Sequence, residues 1–118
     1  MRYPFARFQN ILLAARKENP DPELETCEEV LSYIAEKSVS GHEVRITDLI
    51  MLQVFGTGPT VHRKCNLLTE RGYLGFEISK TDKRVKILAL TKNGHKHLAN
   101  RSKDMLQAIN ETTGTLRS

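Results

Sequence analysis

The 118-residue chain has no tryptophan, only two cysteines, four prolines and seven aromatic residues. Each shortage excludes something. Two cysteines cannot build a disulfide framework, and together with the lack of a secretory pattern around Arg2 to Arg7 they point to a reducing, cytoplasmic setting. No apolar run approaches the roughly 20 residues that cross a bilayer, so no membrane partner is expected. Seven aromatics leave little to line a large ligand cavity. No phosphate-binding glycine loop, nucleophile elbow or paired-carboxylate cleft is visible, so catalysis is not expected and no catalytic residue is assigned. The four histidines include only one close pair, His95 and His97, which do not face one another on a helix. No HExxH or CxxC spacing occurs either, so neither a metal nor another cofactor is expected.

What is present is an ordinary globular composition, 39% hydrophobic and 27% charged, at a length that suits one domain. The net charge of +4 hides a segregation. Residues 18–55 carry nine acidic and two basic side chains, whereas residues 56–98 carry nine basic and three acidic. Segregated charge of this kind builds a field on one side of a molecule and is better evidence for nucleic acid than a high isoelectric point.

Periodicity and punctuation predict the elements. Phe5, Phe8, Leu12 and Ala15 recur at steps of three and four, giving an amphipathic helix over 4–17. Asn19-Pro20-Asp21-Pro22 is a hinge, with Asp21 as N-cap and Pro22 as first residue of a second helix reaching about Lys37. Cys27, Val30, Leu31 and Ile34 form its buried stripe. Val44-Arg45-Ile46 reads as a short extended piece, and Thr47 as the cap of a short helix over 48–54. A tight turn at Gly56-Thr57-Gly58 precedes a helix over 59–71, closed by Gly72 in a left-handed C′ position. Residues 73–79 and an apolar run on Val85, Ile87 and Ala89 (or Ile87, Leu88 and Leu90) form a hairpin across Lys80-Thr81-Asp82-Lys83. Thr91 then caps a long last helix with Leu98, Met105 and Ile109 on one face, and 114–118 reads as a frayed tail.

Helix–turn–helix followed by a hairpin is the winged helix-turn-helix arrangement. The fold class is therefore mainly α with a small β-hairpin, divided into an N-terminal helix (1–19), a winged core (20–98), a C-terminal helix (91–113) and the tail (114–118). On the helix over 59–71, at about 100° per residue, Val61, Cys65 and Leu68 share a buried face. Pro59, Arg63, Asn66 and Glu70 point away, flanked by Thr60 and His62. Arginine and asparagine read guanine and adenine edges in the major groove. Thr57, Thr60 and the first amides suit phosphate. Lys64 should snorkel from the buried side. Cys27 and Cys65 read as small core hydrophobes rather than redox sensors. Glu28-Glu29 reads as a solvated face.

Residues 44–98 resemble the winged core of the MarR-type bacterial transcriptional regulators. The likeness is carried by Thr47-Asp48-Leu49, by Gly58-Pro59-Thr60-Val61, by Leu67-Leu68-Thr69-Glu70-Arg71-Gly72-Tyr73-Leu74, and above all by Thr81-Asp82-Lys83-Arg84 followed by Leu90-Thr91-Lys92-Asn93-Gly94 and Leu98. It implies sequence-specific regulation of transcription on double-stranded DNA. The helix over 59–71 would enter the major groove, and the wing over 80–84 would lie on backbone or minor groove. DNA-contacting residues would be Thr57, Thr60, His62, Arg63, Asn66, Lys80, Lys83 and Arg84, with Asp82 orienting Arg84. It also implies a homodimer through the terminal helices, with Phe5, Phe8, Leu12, Met105 and Ile109 in the seam, and leaves any small-molecule effector unknown. The chain is short for the family and supplies one C-terminal helix where two are usual. Two other readings fit the same residues: a winged-helix module that docks on protein through its acidic block, and an architectural or replication protein of low sequence preference.

Overall fold

A computed structural model describes residues 3–17 and 21–117. Six helices and one hairpin follow in the order α1 (Pro4–Lys17), α2 (Pro22–Glu25), α3 (Glu28–Val39), α4 (Ile46–Met51), α5 (Gly58–Glu70), β1 (Leu74–Ile78), β2 (Lys86–Leu90) and α6 (Lys92–Arg117). This is a winged helix-turn-helix flanked by two terminal helices, the fold class that the periodicity predicts. Part of the expected hinge, residues 19–20, lies outside the described residues.

The core forms where α3, α4, α5 and the hairpin meet. Val30, Leu31, Ile34, Leu49, Val61 and Leu68 are all at or near zero exposure. Burying each such side chain contributes about 1.5–3 kcal/mol. The predicted stripes on α3 and α5 are thus the packed ones. Both cysteines belong to the same cluster.

Four boundaries differ from expectation. The single helix expected from Pro22 is interrupted at Thr26 and Cys27. Thr26 Oγ1 donates to the Glu23 carbonyl at 2.7 Å, and the Cys27 amide donates to Leu24 O at 2.9 Å, one residue short of helical spacing. A side chain and a tightened turn take over the carbonyls that would continue the helix. The short helix begins at Ile46, with Arg45 rather than Thr47 at its N-cap, because the Asp48 carboxylate accepts the Arg45 amide at 2.9 Å. It ends at Met51, ahead of Gln53, which sits at φ +58°. Finally, α6 continues through Arg117, so the expected tail begins inside a helix; residue 118 lies outside the described residues.

The wing is an antiparallel hairpin in the register Leu74↔Leu90, Phe76↔Leu88 and Ile78↔Lys86. Of the expected extended piece, Val44 alone pairs, making an isolated bridge to Leu88 whose amide donates to Val44 O at 2.7 Å. Gly72, at φ +79°, closes α5 as expected: its amide donates to Thr69 O at 3.0 Å and that of Tyr73 to Leu68 O at 2.9 Å, the double bond of a Schellman cap. Thr91 caps α6 through the Gly94 amide at 3.1 Å.

The molecule extends over 57 × 27 × 24 Å with a radius of gyration of 16.6 Å. A compact chain of this length would have about 13.5 Å. The excess comes with α6, whose 26 residues span about 39 Å. It packs on α1 as well as on α3 and β2.

Candidate nucleic-acid interface

The candidate interface is built on α5 and the wing. The buried side of α5, Val61, Cys65 and Leu68, fixes its rotation on the core. That rotation leaves Pro59, His62, Arg63, Asn66 and Glu70 exposed and Thr60 half-buried. Pro59, His62, Arg63, Asn66 and Glu70 together line one shallow groove. Lys64 snorkels as expected, its Nζ donating to the Phe55 carbonyl at 3.1 Å. It therefore also ties α5 to the turn before it.

At the start of α5 the N-cap is Thr57, in extended conformation, and no side chain caps the helix. The Thr57 and Thr60 hydroxyls lie 3.2 Å apart and bond to one another. The two hydroxyls and an uncapped helix start form the kind of polar, electropositive terminus that receives an anion. At the other end, Arg71 Nε donates to Asp21 Oδ2 at 2.7 Å, clamping α5 to α2. The same Asp21 caps α2 by accepting the Leu24 amide at 3.2 Å. The Arg71 hydrogen bond, followed by the Leu24 amide, holds the Asp21 carboxyl below its ordinary value.

The wing tip presents Lys80, Lys83 and Arg84 to solvent. Arg84 projects with 91% of its side chain exposed. Its Nε lies 3.2 Å from Asp82 Oδ1, which also accepts the Arg84 amide at 3.0 Å. Backbone and side chain of Arg84, in that order, depress the Asp82 carboxyl. The expected pairing of Asp82 with Arg84 is present.

A carboxylate that sequence reasoning passed over sits beneath the tip. Glu43 Oε1 accepts the Ser79 hydroxyl at 2.7 Å, and Glu43 Oε2 accepts the Lys80 amide at 2.9 Å. Its partners lie 36 and 37 residues away, so no local pattern announces it.

The five residues expected in a dimer seam fall on α1 and α6. Phe5, Met105 and Ile109 are exposed, at 71%, 44% and 40%, while Phe8 and Leu12 are half-buried. Tyr3, Leu13 and Leu106 add exposed apolar surface that the sequence reading did not single out. Phe8, Leu12, Leu98 and Met105 line a groove of about 280 Å³ whose polar edge is Glu28 and Arg101. Glu28 is not a solvated side chain: it is 15% exposed, and its carboxylate accepts Arg101 Nε at 2.9 Å and lies 3.6 Å from His97 Nε2. The His97 ring stacks on Tyr73 with centroids 4.8 Å apart.

Burial raises the Cys65 thiol to about 11, with Cys27 adding to the effect. A thiol so placed is a core hydrophobe with almost no thiolate at neutral pH.

No protein-family model matches the chain, and neither does any curated protein. Solved structures do. The chain is similar to the crystal structure of the S. aureus MepR–DNA complex, with a TM-score of 0.67 and 20% identity over 92% of this chain and 82% of that one. It is also similar to S. aureus MepR bound to ethidium bromide, with a TM-score of 0.61 and 19% identity over 97% of this chain and 81% of that one. The shared property is the fold, the one implied by the MarR-type resemblance.

Proposed function

We propose that this protein is a regulator of transcription that binds double-stranded DNA as a homodimer, with no catalytic activity of its own. The observation that carries the reading is the outward face of α5. Arg63 and Asn66, the residue types that read guanine and adenine, stand exposed on a helix whose rotation is locked by three fully buried side chains. The wing adds Lys80, Lys83 and Arg84, and the uncapped start of α5 adds Thr57 and Thr60 for phosphate. His62 flanks the reading face. Seven of the nine basic residues of 56–98 lie in α5, its C-cap and the wing; Lys92 and Lys96 lie at the start of α6. A neighbour of the same fold is a DNA complex.

Dimerisation is supported by the apolar surface left on α1 and α6 and by the elongated shape. Phe5, Phe8, Leu12, Met105 and Ile109 would form the seam. Two copies would then present two α5 helices to successive major grooves of a pseudo-palindromic site. Among the described residues no helix is long and apolar enough to cross a membrane, which accords with a cytoplasmic regulator.

Fluorescence anisotropy tests this. Wild type and Arg63→Ala/Arg84→Ala would be titrated with host promoter fragments and a random duplex at two salt concentrations. A regulator binds a subset of fragments tightly, loses affinity steeply with salt and is weakened by the paired substitution. Equal affinity for every duplex would instead indicate an architectural protein. No binding at low salt would refute the proposal and turn attention to a protein partner for the acidic block.

A further inference from the structure

The wing tip is held by a continuous chain of hydrogen bonds that starts outside the wing. Glu43 lies in the segment before α4, beside Val44, whose carbonyl accepts the Leu88 amide of β2. Both carboxylate oxygens of Glu43 reach across to the hairpin: one accepts the Ser79 hydroxyl at 2.7 Å and the other the Lys80 amide at 2.9 Å. Ser79 is the one buried polar residue among those described, at 5% exposure. Its hydroxyl oxygen in turn accepts the amides of Thr81 and Asp82, each at 3.2 Å. Asp82 then accepts the amide and Nε of Arg84. The chain thus runs from Glu43 through Ser79 and the Asp82 backbone to the guanidinium that projects from the tip. The Lys80 amide and then the Ser79 hydroxyl favour the ionised form of Glu43, so the clamp is closed throughout the neutral range.

Three features make this more than loop packing. Between Ser79 and Val85 the tip has two backbone bonds, the Ser79 amide to Val85 O at 2.9 Å and the Val85 amide to Asp82 O at 3.0 Å, while the Lys80, Thr81 and Asp82 amides are all held by side chains. Its shape therefore depends on side-chain acceptors. The clamp originates on the chain that leads directly into α4 and α5. It therefore sets the wing relative to the helix-turn-helix rather than relative to the strands alone. Finally, the residues it orders are Lys80 and Arg84, which the proposed function places on DNA.

We infer that Glu43 is a positioning residue for DNA binding: it fixes the wing against the helix-turn-helix so that Arg84 and α5 engage one duplex together. The inference rests on the DNA-binding reading above. Glu43 itself, an anion beneath the tip, would repel a phosphate, so its role is to position cations rather than to bind.

A double-mutant cycle tests it, using a 30-bp duplex selected from a random pool on the wild-type protein. Glu43→Ala should weaken binding about tenfold, the scale of one charge-assisted hydrogen bond. It should also make the slope of log affinity against log salt shallower, by about 0.9 for each phosphate that is no longer neutralised. In the Lys80→Ala/Arg84→Ala background the same substitution should cost less than about twofold, because the side chains it positions are already absent. A residue that merely stabilises the fold would cost the same in both backgrounds, and that result would overturn the inference. Glu43→Gln, which keeps one carbonyl acceptor, should recover part of the affinity and guards against a variant that fails to fold. Amide exchange supplies a readout independent of DNA. In Glu43→Ala the Lys80, Thr81 and Asp82 amides should exchange faster while the amides of α5 do not. Unchanged exchange at all three would dismiss the clamp. If wild type binds no duplex, the DNA-binding reading has failed, and the exchange data still decide whether Glu43 holds the wing.

Discussion

Gly94 stands in the first turn of α6, a place where alanine would ordinarily be the better residue by about 1 kcal/mol. Here the opposite is expected. A Cβ on Gly94 would overlap the Tyr73 carbonyl oxygen, and would lie 3.1 Å from the Tyr73 carbonyl carbon and 3.4 Å from Leu90 Cβ. Normal carbon contacts begin at about 3.5 Å, so the start of α6 must retreat by roughly 1 Å. It cannot do so freely. The Thr91 amide donates to that same Tyr73 oxygen at 3.1 Å, the Thr91 hydroxyl donates to Gly72 O, and the Gly94 amide donates to Thr91 Oγ1. Overpacking costs about 1–3 kcal/mol, and a weakened N-cap about 1 kcal/mol more. Set against the gain in helix propensity, the net expectation for Gly94→Ala is a loss of about 2 kcal/mol, or about 8 °C in Tm for a domain of this size. Urea and thermal unfolding followed by circular dichroism would measure it. Gly72→Ala is the control: its φ of +79° is unfavourable for alanine but nothing lies within 4 Å of the added carbon. It should lose only the handedness term of about 1–2 kcal/mol. A Gly94→Ala protein as stable as wild type would refute the close-approach argument.

Acid should unfold the protein through three depressed carboxylates. Asp21, Glu43 and Asp82 each have a folded pKa below the ordinary 3.8 or 4.5, so their stabilisation is present above those values and is lost as pH falls through the folded ones. Stability measured by urea titration should stay level from neutral pH to about pH 5 and decline below pH 4, with a shallower decline in Asp21→Asn. A decline beginning near pH 6 would implicate histidine instead. Thiol labelling with an aromatic disulfide should be slow in the native protein, since Cys27 and Cys65 are each 1% exposed, and should track unfolding when urea is added. Rapid labelling at neutral pH would show that the α3–α5 interface opens. Phe5→Lys combined with Met105→Lys should convert a dimer to a monomer in light scattering without lowering the monomer's helicity. A wild type already monomeric at micromolar concentration would count against the terminal helices as a seam.

What was legible in the sequence was whatever depends on local pattern. The stripe of α5 follows from residues three and four apart, so Val61, Cys65 and Leu68 face inward and Arg63 and Asn66 outward, as expected. Thr91 and Gly72 announce the two ends they close, because caps act over three or four residues. Errors arose where a side chain competed with a backbone. Thr26 reads as a helix-compatible residue until its hydroxyl is seen taking the Glu23 carbonyl, and Thr47 reads as a cap until Asp48 is seen holding the Arg45 amide. Wholly illegible were the pairs that the fold alone brings together. Glu28 meets Arg101 across 73 residues, Asp21 meets Arg71 across 50, and Glu43 meets Ser79 across 36. All three acceptors come from the acidic stretch 18–55, and their donors lie in the basic core or the C-terminal helix. The charge segregation that first suggested a nucleic-acid partner therefore has a second use. Part of the negative block is used inside the molecule, clamping α5, α6 and the wing to the N-terminal half of the winged core. Those ties leave Arg63, Lys83 and Arg84, whose side chains meet no acidic residue from that stretch among the described ion pairs, exposed and available to an outside anion.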